Sequence, residues 1–178
     1  DVSPFFPDDA FSIQLKGDHF ATLRSTFELT RPPVRAVLAV SGWHTMAVIL
    51  NGTLVQECHQ VPPDRIPEFA DVGAWVTAGT NRIEVKIWSE WAPNLYLQLR
   101  LENPDGTFAD VISDASWQGR PGATPGWPRG ASPADAWSEV EEVDDYYGSR
   151  GVDRTWHQEF ALMPRHMLAA RMERHNRQ

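Results

Sequence analysis

The chain of 178 residues predicts an all-β protein, an antiparallel β-sandwich, and three observations support this class. From Phe11 to Ile112, short runs alternate apolar and polar residues with the period of two that strands require, and helical periodicity is absent. Turn residues separate these runs. Asn51-Gly52 lies between two apolar runs, where a type I′ hairpin needs two residues that tolerate positive φ. The hydrophobic fraction of 42% is enough for one buried core.

The strands can be assigned in order along the sequence. Phe11 to Leu15 and Phe27 to Leu29 predict two short strands. Ala36 to Val40 and Met46 to Leu50 are continuous apolar runs, which suit strands covered on both faces. Two later runs alternate, and this predicts one face in the core and one face in water. The residues on their polar faces are Glu84, Lys86, Trp88, Tyr96, Gln98, Arg100 and Glu102.

The composition changes after Trp117, and this predicts three regions. Residues 1–118 form the sandwich core. Residues 119–163 form an arm packed on the sandwich, because Gly119 to Pro133 holds eight Gly and Pro in fifteen residues and favours a loop. Six acidic residues between Asp135 and Asp145 indicate an edge strand or ordered arm within it. Residues 164–178 predict a short basic helix or a linker to a further domain.

Charge and apolar content exclude two classes of partner. Sixteen Lys and Arg against 24 Asp and Glu give a net charge of -8, which repels phosphate backbones and anionic lipid, so we expect no nucleic acid partner. No apolar run approaches the ~20 residues of a membrane span, so we expect no membrane partner. The start at Asp1 without Met leads us to expect that a leader or an upstream domain has been removed.

Five segments occur in an order that resembles a known family. They are Ala36 to Trp43, Val48 to Thr53, Phe69 to Val72, Ala78 to Val85 and Ser113 to Gln118. Together they resemble the galactose-binding-like jelly-roll domains that accompany α-L-rhamnosidases and family 2 β-galactosidases. The resemblance implies a jelly-roll sandwich that serves as a non-catalytic accessory domain of a larger bacterial protein. It also implies an extracytoplasmic location, secreted or periplasmic.

The leading candidate for a ligand site is the loop from Trp88 to Asn94. It offers two indoles, Trp88 and Trp91, together with the carboxylate of Glu90 and the amide of Asn94. Sugar recognition needs an apolar ring for the C–H face and polar groups for the hydroxyls, so this loop predicts carbohydrate binding. The alternative is that both indoles cap the core while Glu90 pairs with an arginine.

Trp43 and His44 are expected to lie at the same rim, because loops of a sandwich cluster at its ends. There His44 would bond a sugar hydroxyl, and the alternative is a solvated turn histidine. The sequence therefore favours a carbohydrate-binding module. A second hypothesis is a structural or protein-interaction sandwich that docks against a neighbouring catalytic or electron-transfer domain of the same chain.

An enzyme is not expected, because the sequence has neither a positioned pair of carboxylates nor a Gly-x-Ser-x-Gly elbow. Cys58 and His59 are neighbours on a strand and point to opposite faces, so they cannot chelate one metal together. No cofactor is expected. The acids Asp8 and Asp9 are compatible with a structural calcium, as are those between Asp135 and Asp145, although the spacing is not that of an EF-hand.

Overall fold

A computed structural model describes residues 12–14, 19–42, 44–60, 68–89, 93–122 and 137–143. Within these ranges the chain forms two antiparallel sheets with a shared core, and the predicted sandwich is confirmed. The strands are β1 (Ser12–Gln14), β2 (Phe20–Leu29), β3 (Arg35–Gly42), β4 (His44–Leu50), β5 (Thr53–Gln60), β6 (Glu68–Asp71), β7 (Gly79–Trp88), β8 (Asn94–Glu102), β9 (Phe108–Ile112), β10 (Gln118–Pro121), β11 (Ser138–Glu139) and β12 (Glu141–Val143). A 3-10 turn covers Gly73–Trp75.

The first sheet has the order β12-β1-β8-β3-β6, and the second has the order β11-β10-β2-β7-β4-β5. Strand β9 also pairs with β8, on the same side as β1 but farther along the strand. One lateral edge of the sandwich is therefore formed by β5 and β6, which follow each other in sequence. The other lateral edge has the consecutive strands β11 and β12.

Apolar side chains of both sheets meet in the core, and many of them are fully buried. The continuous runs at β3 and β4 lie in the interior, as the sequence predicts. Trp117 follows β9 and is buried at 1% exposure, with its indole Nε1–H donating to the carbonyl of Ile112 at 2.8 Å. The amide of Ser116 donates to the Asp114 carboxylate at 2.8 Å, so this segment forms the local backbone bonds expected of it.

The predicted turn at Asn51-Gly52 is confirmed by its backbone angles. Asn51 and Gly52 have φ of 50° and 82°, as a type I′ hairpin requires, and they join β4 to β5. A second hairpin joins β8 to β9 through Gly106, where φ is 82°. Positive φ favours glycine because it has no Cβ to clash with the backbone.

The polar faces of the two alternating strands correct a prediction. Glu84, Lys86, Tyr96, Gln98 and Arg100 were expected in water, but the structure buries all five. The reason is that β7 and β8 are internal strands of their sheets, so side chains of adjacent strands flank both faces. Arg100, for example, forms a bidentate pair with Asp110 of β9, with both N–O distances 2.9 Å.

The described part of the arm joins both sheets. Residues from Gly119 were predicted to form a loop, but Gln118–Pro121 form β10, which pairs with Ala21 to Arg24 of β2. Pro121 is tolerated because β11 pairs with only the first two residues of β10, so the proline has an open side. The expected edge strand between Asp135 and Asp145 is present as β11 and β12. The predicted terminal helix, 164–178, lies outside the described residues.

Candidate functional site

The chain reversals between β3 and β4 and between β7 and β8 lie at the same end of the sandwich, here called the loop end. One residue separates β3 from β4, so Gly42 and His44 are close in space although they belong to different sheets. Gly42 is opposite Leu95 at the start of β8, and Thr45 is opposite Trp88 at the end of β7. The backbone therefore brings together the strand ends that carry Trp88, His44 and Asn94.

Trp88 is the predicted site residue whose side chain the structure describes. It is half-buried and lies on the outer face of the second sheet, opposite Phe20 of β2 and Thr45 of β4. The next residue, Ser89, is buried, and its amide donates to the carbonyl of His19 at 2.8 Å. The Nδ1–H of His19 donates back to the carbonyl of Ser89 at 3.0 Å. These two bonds fix the end of β7 against the start of β2.

Other members of the predicted site lie partly or wholly outside the description. The structure gives the backbone of His44 and Asn94 but not their side chains, and Trp43, Glu90 and Trp91 are outside the described residues. The ends of β3, β4, β7 and β8 lie together, as expected if these residues share one rim. The contacts of these side chains with one another stay a prediction.

A second feature, which the sequence did not predict, is a groove on the outer face of the second sheet. Its cavity volume is about 590 Å³. We call it the arginine groove, and its lining residues are Arg24, Ser25, Thr26, Arg82, Ser116 and Gln118. The strand register brings four of them together, because Gln118 of β10 is opposite Arg24 of β2, and Thr26 of β2 is opposite Arg82 of β7.

Arg24 is held in place from two directions. Its Nε–H and Nη2–H both donate to Oε1 of Gln118, at 3.1 and 2.8 Å. Its guanidinium carbon lies 3.7 Å from the ring centroid of Trp137, which is a cation–π contact. Burial and the positive charge of Arg82 lower the pKa of Arg24, while Glu84 opposes this shift. The side chain is thus fixed in orientation and close to a second cation.

Glu84 is the carboxylate at the centre of this face. It forms an ion pair with Arg82, and its charge raises the pKa of Lys86 against the larger lowering effect of burial. Lys86 is fully buried and lies one row of residues nearer the loop end. Arg24, Arg82 and Lys86 thus lie around Glu84 on this face. Two further carboxylates lie nearby, since Glu139 is opposite Gln118 and Asp114 is bonded to Ser116.

No metal centre is assembled in the part of the chain that the structure describes. Within it, no three His, Cys, Asp or Glu side chains are grouped so as to hold a metal ion. Cys58 is buried and His59 is exposed, on opposite faces as predicted, and burial raises the pKa of the thiol. Asp8, Asp9 and most of the acids from Asp135 to Asp145 fall on residues or side chains outside the description.

Over the same ranges, no helix is long and apolar enough to cross a membrane.

Solved structures with similar folds include enzymes and a lectin. The chain is similar to an α-L-rhamnosidase from Dictyoglumus thermophilum, with TM-score 0.62 and 16% identity over 76% of this chain and 21% of that one. It is also similar to the Streptomyces avermitilis α-L-rhamnosidase, with TM-score 0.63 and 20% identity over 79% and 15% of the two chains. For a lectin from Pleurotus ostreatus the values are 0.63 and 14%, over 80% and 44%.

At these identities the likeness shows the fold alone, and that fold is the β-sandwich that the sequence predicts. The chain spans about a fifth or less of these two rhamnosidases and under half of the lectin. No protein-family model and no curated protein matches it.

Proposed function

We propose that this chain is a non-catalytic carbohydrate-binding domain of a larger secreted or periplasmic bacterial protein. Its ligand site lies at the loop end, with Trp88, Glu90, Trp91 and Asn94 as binding residues and with Trp43 and His44 assisting. The observation that carries the proposal is the position of Trp88, a half-buried indole at a fixed strand end. An indole face in such a position can stack on the C–H face of a sugar ring.

The solved structures with this fold support the choice of ligand class. The Streptomyces avermitilis rhamnosidase is complexed with L-rhamnose, and the Pleurotus ostreatus lectin has been solved in complex with GalNAc. The small share of the rhamnosidases that this chain spans supports an accessory role, because most of each enzyme lies outside the matched part. Sugar binding through one or two indoles buries little area against several polar groups, so we expect weak affinity.

The test is ligand-detected NMR or calorimetry with a panel of neutral sugars that includes rhamnose, galactose and GalNAc. W88A is expected to weaken binding at least tenfold, because it removes the stacking surface, and W91A is expected to act in the same direction. The matched control is W75A. Trp75 is 37% exposed but lies beside the Asn51-Gly52 hairpin, at the end of the sandwich opposite the loop end. Its carbonyl accepts a hydrogen bond from Nδ2 of Asn51 at 2.8 Å.

If W88A and W75A lose sugar affinity equally, the loss reflects lower stability of the domain rather than a change at the loop-end site, and the proposal is contradicted. If no sugar of the panel binds the unmodified chain, the second hypothesis gains, namely a structural sandwich that docks against a neighbouring domain. Far-ultraviolet circular dichroism of each variant establishes that the sheets are formed.

A further inference from the structure

We propose that the arginine groove is a second ligand site, and that it takes an acidic sugar whose carboxylate is held by Arg24 and Arg82. The proposal rests on the proposed function only in that the ligand is a saccharide. Four observations carry it: the prepared orientation of Arg24, the absence of an ion pair at Arg24 within the described ranges, the size of the cavity and the neutral hydrogen-bonding groups along its wall.

The orientation of Arg24 leaves donors for a ligand. Gln118 uses Nε–H and one Nη2–H, and Trp137 packs against the guanidinium plane. In the described part of the chain, Nη1 of Arg24 makes no hydrogen bond, so its two N–H groups and the second N–H of Nη2 are available. A guanidinium fork matches the two oxygens of a carboxylate, and an arginine already fixed by its neighbours loses little further freedom on binding.

The guanidinium of Arg24 favours an anion because it has no ion-pair partner among the described residues, although Glu84 lies close enough to oppose the lowering of its pKa. Glu84 forms an ion pair with Arg82, and within the described ranges no carboxylate lies within ion-pair distance of Arg24. Arg24 instead contacts a neutral amide and an indole, while Arg82 and Arg24 repel each other. A carboxylate placed between the two guanidinium groups would offset this repulsion and would accept charge-assisted hydrogen bonds from Arg24.

The cavity volume and its polar wall favour a sugar acid over a simple ion. About 590 Å³ lies within the range of small-molecule pockets, roughly 300–1,000 Å³, and a lone acetate or sulfate would leave most of it empty. Thr26, Ser116 and Gln118 supply hydroxyl and amide groups that suit ring hydroxyls. The net charge of -8 repels long polyanions such as nucleic acid, so a ligand with one or few carboxylates fits best.

The groove and Trp88 lie on the same face of the second sheet. Trp88, Glu84 and Arg82 alternate along β7 on that face, opposite Phe20, Arg24 and Thr26 of β2. Phe20 and Arg24 are four positions apart, which corresponds to about 13 Å along a strand. The two sites are therefore distinct, and a variant at one of them leaves the other intact.

The experiment is a calorimetric titration of the full chain with galacturonate and glucuronate, their neutral methyl esters, and acetate, at equal ionic strength. We expect the two uronates to bind, with affinity that falls as salt is raised, and the esters and acetate to bind at least tenfold more weakly. R24Q and R82Q are expected to lose at least tenfold in uronate affinity. R24K is expected to lose part of it, because it keeps the charge but not the fork.

The control variant is R31Q, which removes the same charge far from the groove, where Arg31 faces Asp105 at 3.6 Å. R31Q is expected to bind uronate as the unmodified chain does. Melting temperatures of all variants separate loss of ligand from loss of fold, and R82Q serves if R24Q is unstable, because the Arg82 side chain is 46% exposed.

The outcomes distinguish this proposal from the previous one. Uronate binding that R24Q abolishes and W88A preserves supports the arginine groove. Neutral-sugar binding that depends on Trp88, with no preference for uronates and no effect of R24Q, overturns the groove and leaves the loop-end site standing. Acetate binding as tight as that of the uronates overturns the assignment to a sugar acid. Absence of binding by every sugar overturns both.

Discussion

Replacing Asn81 by alanine removes a fully buried amide that joins two loops at the far end of the sandwich. Its Oδ1 accepts from the amide of Thr77 at 2.9 Å and from Nδ2 of Asn51 at 2.8 Å. Its Nδ2 donates to the carbonyls of Thr77 and Gly79, at 2.8 and 3.0 Å. The same side chain therefore holds the turn between β4 and β5 against the entry to β7.

The cost can be worked from these bonds. At about 1 kcal/mol net for each hydrogen bond, the four bonds amount to about 4 kcal/mol of unfolding free energy. A domain has about 5–15 kcal/mol in total, so N81A is expected to be severely destabilised. The free energy of unfolding falls by about 2 kcal/mol for each 1 M of urea, so the unfolding midpoint of N81A should lie about 2 M lower in urea.

The assay is urea unfolding followed by tryptophan fluorescence and by circular dichroism. N103A is the matched control, because Asn103 also lies in a turn but its side chain makes one exposed bond, from Nδ2 to the hydroxyl of Thr107 at 3.0 Å. We expect N103A to lose less than about 1 kcal/mol. If N81A and N103A shift the midpoint equally, the buried bonds of Asn81 are not what stabilises this end.

Two further predictions concern backbone angle and pH. Gly52 has φ of 82°, and a Cβ at this position would have no atom within 4 Å. G52A should therefore lower the free energy of unfolding by about 1 kcal/mol through backbone strain alone, and G52N should recover part of that loss. Thermal melts of both variants measure the change. Burial, with a smaller effect of Glu68, raises the pKa of Cys58 above the unfolded value of about 8.5. The native state keeps its proton longer than the unfolded state, so stability is full below that pH and falls above it, by at most about 1.4 kcal/mol per pH unit. In urea melts from pH 7 to 10, the unfolding free energy of C58A should fall less steeply with pH than that of the unmodified chain. An equal fall in both would contradict the assignment of this pH dependence to Cys58.

The sandwich and its hairpins could be predicted because their signals are local. Alternation assigns a strand and Asn51-Gly52 assigns a turn without knowledge of the neighbours. The burial of Lys86 and Gln98 could not be predicted in this way, since it depends on which strands flank β7 and β8. The loop prediction at Gly119 failed for a related reason, because composition does not show that β10 has a partly open side.

The two candidate sites also differ in whether local sequence signals reveal them. Indole, carboxylate and amide side chains close together in sequence drew attention to the segment from Trp88 to Asn94, and the strand ends place its flanks beside His44. The arginine groove has no such signal, because Arg24, Arg82 and Gln118 come from three separate strands. Only the register of β10, β2 and β7 reveals that they share one face.

The short strands of the arm have a consequence for solubility. β10 covers the edge of β2, and β12 covers the edge of β1, so each sheet is closed on that side by residues from 118 onward. A chain cut at residue 118 would lose most of β10 and all of β11 and β12, and the backbone amides and carbonyls of β2 and β1 would have no ladder partner on that side. Such bare edges pair with other molecules, so the truncated sandwich is expected to self-associate even though its core residues are all present.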